Sequence, residues 1–184
     1  MVAAALAASP AKASPIPLTD ATITATYNGS TSNMLGIDGL TAGVNSNKTR
    51  LDAFGGVEFL TADMLFGFDF SDTGALTVMT NGYTVPAGAY RAVFDFGNTL
   101  PLPVTGFSLT GTDSIDGSPT LGIVDSHTIS VDFSKVTWNA DYASFTAQLD
   151  SAAPAAVPEP GSIALVLAGL AGFAATGRKR ARRG

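Results

Sequence analysis

The stretch Met64-Leu65-Phe66-Gly67-Phe68-Asp69-Phe70 carries an apolar side chain at every second position. Successive side chains of a β-strand point to opposite faces, so this alternation predicts a strand with one apolar face. The residues on that face would be Met64, Phe66, Phe68 and Phe70. Asp72-Thr73-Gly74 follows and predicts a turn into a second strand over residues 75–80. These two strands would contribute to the core of the protein.

Two Asn-Gly pairs predict tight turns. Asn28-Gly29 follows an alternating segment over residues 22–27 and predicts the end of that strand. Asn81-Gly82 follows residues 75–80, and an Asn-Gly pair after an alternating segment is typical of a two-residue β-hairpin. The sequence therefore predicts a hairpin at Asn81-Gly82.

Alternation of apolar and polar residues recurs along the chain, whereas residues 30–49 are rich in Gly, Asn and Ser and are predicted to form a long loop or an irregular edge. No ten-residue window within residues 14–150 carries a sustained helical stripe. Short strands separated by turn residues predict a mainly β fold, with the body an antiparallel β-sandwich or jelly roll. Further strands are predicted at residues 57–60, 90–96, 104–110, 121–124, 129–133 and 143–149.

Charge is distributed unevenly along the chain. Residues 1–177 hold five Lys/Arg against fifteen Asp/Glu, and the other five basic residues lie within residues 178–183. The body therefore offers no basic patch for nucleic acid. The chain has no cysteine, which excludes a disulfide framework and thiol chemistry.

The C-terminal residues differ in composition from the body. Val157-Pro158-Glu159-Pro160 precedes residues 163–176, which carry no charge. A helix over residues 161–177 would extend about 25 Å, close to the ~30 Å hydrocarbon core, and this predicts a single transmembrane helix. Basic residues beside such a span stay in the cytoplasm, so the body is expected outside it. The residues of this predicted membrane stop are Arg178, Lys179, Arg180, Arg182 and Arg183.

These C-terminal features together resemble the PEP-CTERM sorting domain of bacteria that make extracellular polysaccharide. The resemblance covers about 28 residues. It implies that exosortase, a multi-pass membrane protease with a cysteine nucleophile, recognises the motif, removes the tail and passes the protein to the surface or matrix. By this resemblance the recognition residues are Val157, Pro158, Glu159 and Pro160. An ordinary tail anchor behind a proline-rich linker is the alternative.

Four segments are predicted in the chain. Residues 1–13 have the small-x-small ending of a signal-peptide cleavage site and are interpreted as the remnant of a secretory signal, with a disordered alanine-rich N-terminus as the alternative. The others are an extracytoplasmic β-sandwich domain at 14–150, an Ala/Pro linker at 151–157 and the sorting signal at 157–184. Within the signal lie the motif (157–160), the hydrophobic helix (161–177) and the basic tail (178–183).

Two pairs of residues are candidates for binding. Trp138 and Tyr142 could form an aromatic platform for a sugar ring, although packing at a sheet edge explains them too. Asp113 and Asp116 place two carboxylates near Gly117 and are a weak candidate for calcium, with a turn-forming Asp-Gly step as the alternative.

Catalytic patterns are weak. Asp125, Ser126 and His127 are neighbours in sequence, and three neighbours cannot converge as a catalytic triad does. Glu58 is the only glutamate before Glu159, so no pair of carboxylates for glycoside hydrolysis stands out. The sequence thus points to no catalytic residue and no cofactor, and we do not expect an enzyme.

The leading functional hypothesis is an exported surface or extracellular-matrix protein with a structural role. Its precursor would lie in the inner membrane in contact with lipid, with exosortase as its processing partner. The alternatives are a carbohydrate-binding module that engages extracellular polysaccharide and an extracellular hydrolase.

Overall fold

The structure of the protein is a computed structural model. It describes residues 13–37, 46–51, 56–82 and 84–152. These residues belong to one compact unit, Lys12–Ala153. The predicted signal remnant lies outside the described residues except for Ala13, and the predicted sorting motif, hydrophobic helix and basic tail lie outside them altogether.

The described residues contain strands and no helix. The prediction of a mainly β fold is therefore confirmed. It rested on alternation over many short segments and did not depend on any single one. In chain order the strands are β1 (Ala13–Pro15), β2 (Thr22–Tyr27), β3 (Met34–Gly36), β4 (Lys48–Arg50), β5 (Val57–Thr61), β6 (Phe66–Phe70), β7 (Ala75–Thr80), β8 (Arg91–Asp95), β9 (Gly106–Asp113), β10 (Ile115–Asp116), β11 (Thr120–Asp125), β12 (Thr128–Asp132), β13 (Thr137–Trp138) and β14 (Ser144–Ala152).

The strands form three antiparallel sheets within the described part of the chain. The largest follows the order β1-β14-β7-β6-β5-β3, and β9 also pairs with β14. The second follows the order β11-β12-β8-β2-β4, and β10 and β13 form a two-stranded ribbon. Only some of the strands that pair in these sheets are consecutive in sequence, so the chain crosses repeatedly from one sheet to another.

Aromatic side chains from the two large sheets meet in one core. The ring of Phe94, on β8, lies 5.9 Å from that of Phe59 on β5. It lies 5.1 Å and 5.0 Å from the rings of Phe68 and Phe70 on β6. All four side chains are buried. The apolar face predicted for residues 66–70 is therefore a core face.

Met64 does not share that face, and its assignment to the core strand is wrong. The side chain of Met64 is 42% exposed, and its φ of 59° is left-handed. Its backbone N–H donates to the carbonyl of Thr61 at 2.8 Å, which closes the turn between β5 and β6. The alternating pattern therefore begins two residues before the strand does, because the turn residue Met64 is apolar.

The hairpin predicted at Asn81-Gly82 is also wrong. β7 already pairs with β6 on one side and with β14 on the other, so its two edges are occupied. The next strand, β8, belongs to the second large sheet. Asn81-Gly82 thus begins a crossing between sheets.

Two other turn regions can be compared with the prediction. Asn28 and Gly29 have φ values of 50° and 77° and link Tyr27 to Ser30, so the turn predicted there is confirmed. The long loop or irregular edge predicted over residues 30–49 contains β3 and the beginning of β4, and each of these strands lies at an edge of one of the two large sheets. Both strands are three residues long, too short to show a periodic pattern.

The described unit begins and ends side by side. In the β1–β14 pair, Ala13 lies opposite Ala152 and Ser14 opposite Ser151. Ser151 is buried, and its hydroxyl donates to the carbonyl of Ser14 at 3.4 Å. β14 therefore extends two residues beyond the predicted body, into the segment predicted as a linker.

The backbone of Gly74, in the β6–β7 turn, leaves no room for a side chain. Its φ is +83°, and a Cβ there would lie 2.6 Å from the carbonyl oxygen of Ile16. Gly74→Ala should therefore destabilise the protein by more than the roughly 1–2 kcal/mol that left-handed backbone costs a residue with a Cβ. Urea denaturation measures this cost.

Gly97→Ala is the matched control for that substitution. Gly97 has a φ of +52°, but nothing lies within 4 Å of its Cβ position. It should show the backbone cost without the clash. Equal losses in the two variants would contradict the importance of the close approach at Gly74.

Candidate functional site

A surface pocket lies between the segment that leads into β8 and the segment that leads into β13. Its volume is about 380 Å³, which lies in the range of small-molecule sites. We call it the aromatic pocket. Its lining residues are Val85, Pro86, Ala87, Gly88, Tyr90, Ser134, Lys135, Val136, Thr137 and Trp138.

Trp138 is held in this pocket by rings behind it. It lies on β13, where it pairs with Ile115 of β10. Its ring centroid is 5.4 Å from that of Phe66 and 5.9 Å from that of Phe145. The indole Nε1 is buried without a hydrogen-bond partner among the described residues. Trp138 is thus both a partly buried core residue and part of a pocket wall.

Tyr90 supplies a second aromatic ring to the pocket. Its ring stacks on Phe133, with centroids 6.0 Å apart and an interplanar angle of 11°. Its hydroxyl donates to the carbonyl of Pro86 at 2.5 Å, and Gly88 lies against the ring. Burial, followed by the charge of Asp63, raises the pKa of Tyr90, so the phenol stays protonated at neutral pH. The ring is therefore an apolar surface with a fixed orientation.

Ser134 and Lys135 form the polar side of the pocket. The Ser134 hydroxyl accepts a hydrogen bond from the backbone N–H of Tyr90 at 2.8 Å, which ties the two walls together. Lys135 is exposed, and it is the only charged residue in the lining. The pocket therefore combines two rings with one positive charge.

Sequence reasoning singled out Trp138 but not Tyr90 or Lys135. Tyr90 was interpreted only as a core residue of an alternating strand, and Lys135 is an isolated cation with no motif around it. They lie 48 and 3 residues before Trp138 in sequence. The distance of Tyr90 along the chain means that only the strand topology could have brought the two rings together.

Tyr142, the other residue of the predicted platform, does not line the aromatic pocket. Its side chain is 66% exposed, and its φ of 60° is left-handed. Its ring lies over Gly82, where an added Cβ would come within 3.1 Å of it. Among the ring contacts of the described residues there is none between Tyr142 and Trp138.

Asp113 and Asp116 lie at the end of β9 and on β10. Asp113 accepts a hydrogen bond from the Ser114 hydroxyl at 3.3 Å, and Asp116 accepts one from the Asn139 side-chain amide at 2.8 Å. In the described ranges no three His, Cys, Asp or Glu side chains group to hold a metal ion. The polar contacts of this region join the ribbon of β10 and β13 to its neighbouring turns.

His127 lies in the turn between β11 and β12. The Asp125 carboxylate accepts a hydrogen bond from the backbone N–H of His127 at 2.8 Å, and the Ser126 hydroxyl lies 3.0 Å from the ring Nδ1. That backbone bond lowers the pKa of Asp125. The carboxylate thus bonds the histidine backbone, whereas a catalytic triad needs it to orient the imidazole.

The environment of Asp132, next to the aromatic pocket, predicts that the stability of the protein depends on pH. Hydrogen bonds from the hydroxyl and backbone N–H of Ser134 lower its pKa, and the charges of Arg91 and Lys135 lower it further. Because the folded-state pKa is depressed, this stabilisation is present above the ordinary value of about 3.9 and is lost as pH falls through the folded value. Asp132→Asn should therefore lose less stability than the wild type on acidification.

Urea denaturation at about pH 5 and about pH 2.5 tests this expectation. Asp69→Asn is the control of opposite sign. Burial raises the pKa of Asp69, so its contribution to stability is present at low pH and is lost as pH rises through the folded value. If the two variants depended on pH in the same way, the assignment for Asp132 would be wrong.

Among the residues that the structure describes there is no helix long and apolar enough to span a membrane. The predicted transmembrane segment, 161–177, lies outside those residues.

Comparison with known families identifies the C-terminal segment. Residues 156–183 match the family model of the PEP-CTERM protein-sorting motif. No curated protein matches the chain, and no solved structure does. The matched range includes the four predicted recognition residues, the hydrophobic segment and the basic residues up to Arg183. The C-terminal 28-residue segment 156–183 is therefore a PEP-CTERM protein-sorting motif.

Proposed function

We propose that this chain is the precursor of a surface or extracellular-matrix protein whose body has a structural, non-enzymatic role. The observation that carries the proposal is the PEP-CTERM match at residues 156–183, which implies processing by exosortase. In this proposal Val157, Pro158, Glu159 and Pro160 are the residues that the protease recognises. The protein is then the substrate of the reaction.

The precursor would sit in the inner membrane before processing. Residues 161–177 would cross the lipid, and the five basic residues of 178–183 would remain in the cytoplasm. This orientation leaves the body outside. After cleavage within or near the motif, the body would reach the cell surface or the surrounding matrix.

We take the body to be a β-sandwich. The contacts of Phe94 with Phe59, Phe68 and Phe70, which join strands of the two large sheets, support this view.

Mass spectrometry of the surface fraction from the native host tests the sorting proposal. We expect a mature protein that lacks the hydrophobic segment and the basic residues. A tagged chain that stayed full-length in the cytoplasm would overturn the proposal.

A second candidate function is saccharide binding by the body. The observation that favours it is the position of Trp138 beside Tyr90 in the aromatic pocket. Aromatic rings that line a pocket offer an apolar surface to the C–H groups of a sugar ring. Trp138→Ala should abolish binding to extracellular polysaccharide, and unchanged binding would remove the proposed site.

A further inference from the structure

The rings of the aromatic pocket are fixed in place by the core behind them. Tyr90 stacks on Phe133 and donates to the carbonyl of Pro86. Trp138 lies against Phe66 and Phe145. A ligand that packed on these rings would not have to order them, which reduces the entropy lost on binding.

The lining of the aromatic pocket carries one positive charge. Lys135 is the only charged residue in the lining, and Asp132, whose pKa the charge of Lys135 lowers, lies outside the lining. A smaller pocket of about 240 Å³ offers a comparison, since its lining contains one cation, Lys48, and one carboxylate, Asp95. The aromatic pocket thus presents a positive charge on a body that is acidic as a whole.

Lys135 is also placed to reach a ligand. Its side chain is exposed, and within the described residues the one ion pair joins Arg50 to Asp20. The ammonium group therefore has no carboxylate within ion-pair distance among those residues. Thr137, two residues further on, is exposed and adds a hydroxyl to the same wall.

We infer that the aromatic pocket binds a saccharide unit that carries a carboxylate. Tyr90 and Trp138 contact the ring of the sugar, and Lys135 pairs with the carboxylate. The inference rests on the saccharide-binding function proposed above and names the class of saccharide. A charge-assisted contact of this kind is stronger than a contact between neutral groups, so it selects acidic over neutral sugars.

Two matched probes test the inference. Cello-oligosaccharides are neutral, and oxidation of each 6-hydroxymethyl group to a carboxylate gives the acidic probe with the same linkage. Trp138 is the only tryptophan of the chain, so its fluorescence in the full-length protein in mild detergent reports on this pocket. We expect a change in emission with the acidic probe, which should bind roughly tenfold more tightly than the neutral one at low salt.

Calorimetry on variants completes the test. Lys135→Gln should remove the preference for the acidic probe, whereas Lys48→Gln, in the smaller pocket, should keep it. Added salt should narrow the difference between the probes in the wild type, because the charges are exposed to solvent.

The outcomes separate the two proposals. Equal affinity of the wild type for both probes would overturn the selectivity for a carboxylate. A preference that survives Lys135→Gln would overturn the pairing of the carboxylate with Lys135. Either result would leave saccharide binding in place. The absence of both an emission change and binding heat with either probe would overturn both proposals.

Discussion

Replacing Glu159 with alanine should leave the C-terminal segment attached to the protein. Glu159 is the only charged residue between Asp150 and Arg178, so a protease that reads charge in this region has a single carboxylate to bind. Loss of one partner of a buried, hydrogen-bonded charge pair costs about 2–5 kcal/mol. Since each 1.4 kcal/mol is a factor of ten, tail removal should slow by roughly thirtyfold or more.

Pro160→Ala should act in the same direction through the backbone. Proline fixes its own φ and biases the residue before it towards an extended conformation. An extended segment beside the bilayer fits a protease cleft, and alanine would relax that conformation. The expected effect is smaller than that of Glu159→Ala because the carboxylate remains.

Two variants serve as controls for the sorting experiment. Pro154→Ala changes a proline that lies before the matched range, and Asp141→Ala removes an exposed carboxylate of the body. Both should be processed as the wild type is. Intact-mass measurement of the surface and membrane fractions distinguishes the precursor from the mature chain. Normal processing of Glu159→Ala and Pro160→Ala would refute recognition at these residues.

Phe94→Ala should produce a large loss of stability in the body. The buried ring of Phe94 packs against three other buried rings from the facing sheet, so its removal leaves a cavity that none of them can fill without moving. Truncation of a buried Phe to Ala costs about 3–5 kcal/mol. The midpoint of urea denaturation should fall accordingly.

Val93→Ala is the control on the same strand. Val93 precedes Phe94, points to the opposite face of the sheet and is partly exposed. Its truncation should cost roughly 1 kcal/mol or less. A similar loss in both variants would show that the contacts of Phe94 do not hold the two sheets together.

The strands with long apolar alternation could be predicted from the sequence. Phe66, Phe68 and Phe70 occupy the buried face that their spacing implies, because one face of β6 meets the other sheet. The error at Met64 has a different cause. A left-handed backbone at that position turns the chain before the strand begins, and alternation of residue types carries no information about φ.

Strand partners could not be predicted from local patterns. Asn81-Gly82 has the composition of a hairpin turn, yet the neighbours of β7 are set by β14, which lies more than sixty residues further along the chain. The aromatic pocket has the same origin. Trp138 was recognisable as a candidate because an aromatic side chain with Tyr142 nearby in sequence can form a platform for a sugar ring. Tyr90 and Lys135 became part of the site through pairing of distant segments.

The pairing of Ala13 with Ala152 places the entry and the exit of the folded unit at one point on its surface. A tether attached to either end would hold the body in nearly the same orientation. A short peptide could also join the two ends, so a circularly permuted body with new ends in an exposed turn should keep the same sheets. Tension between the two tethers would peel β1 from β14 one residue pair at a time, which makes this pair the first mechanical failure point of the domain.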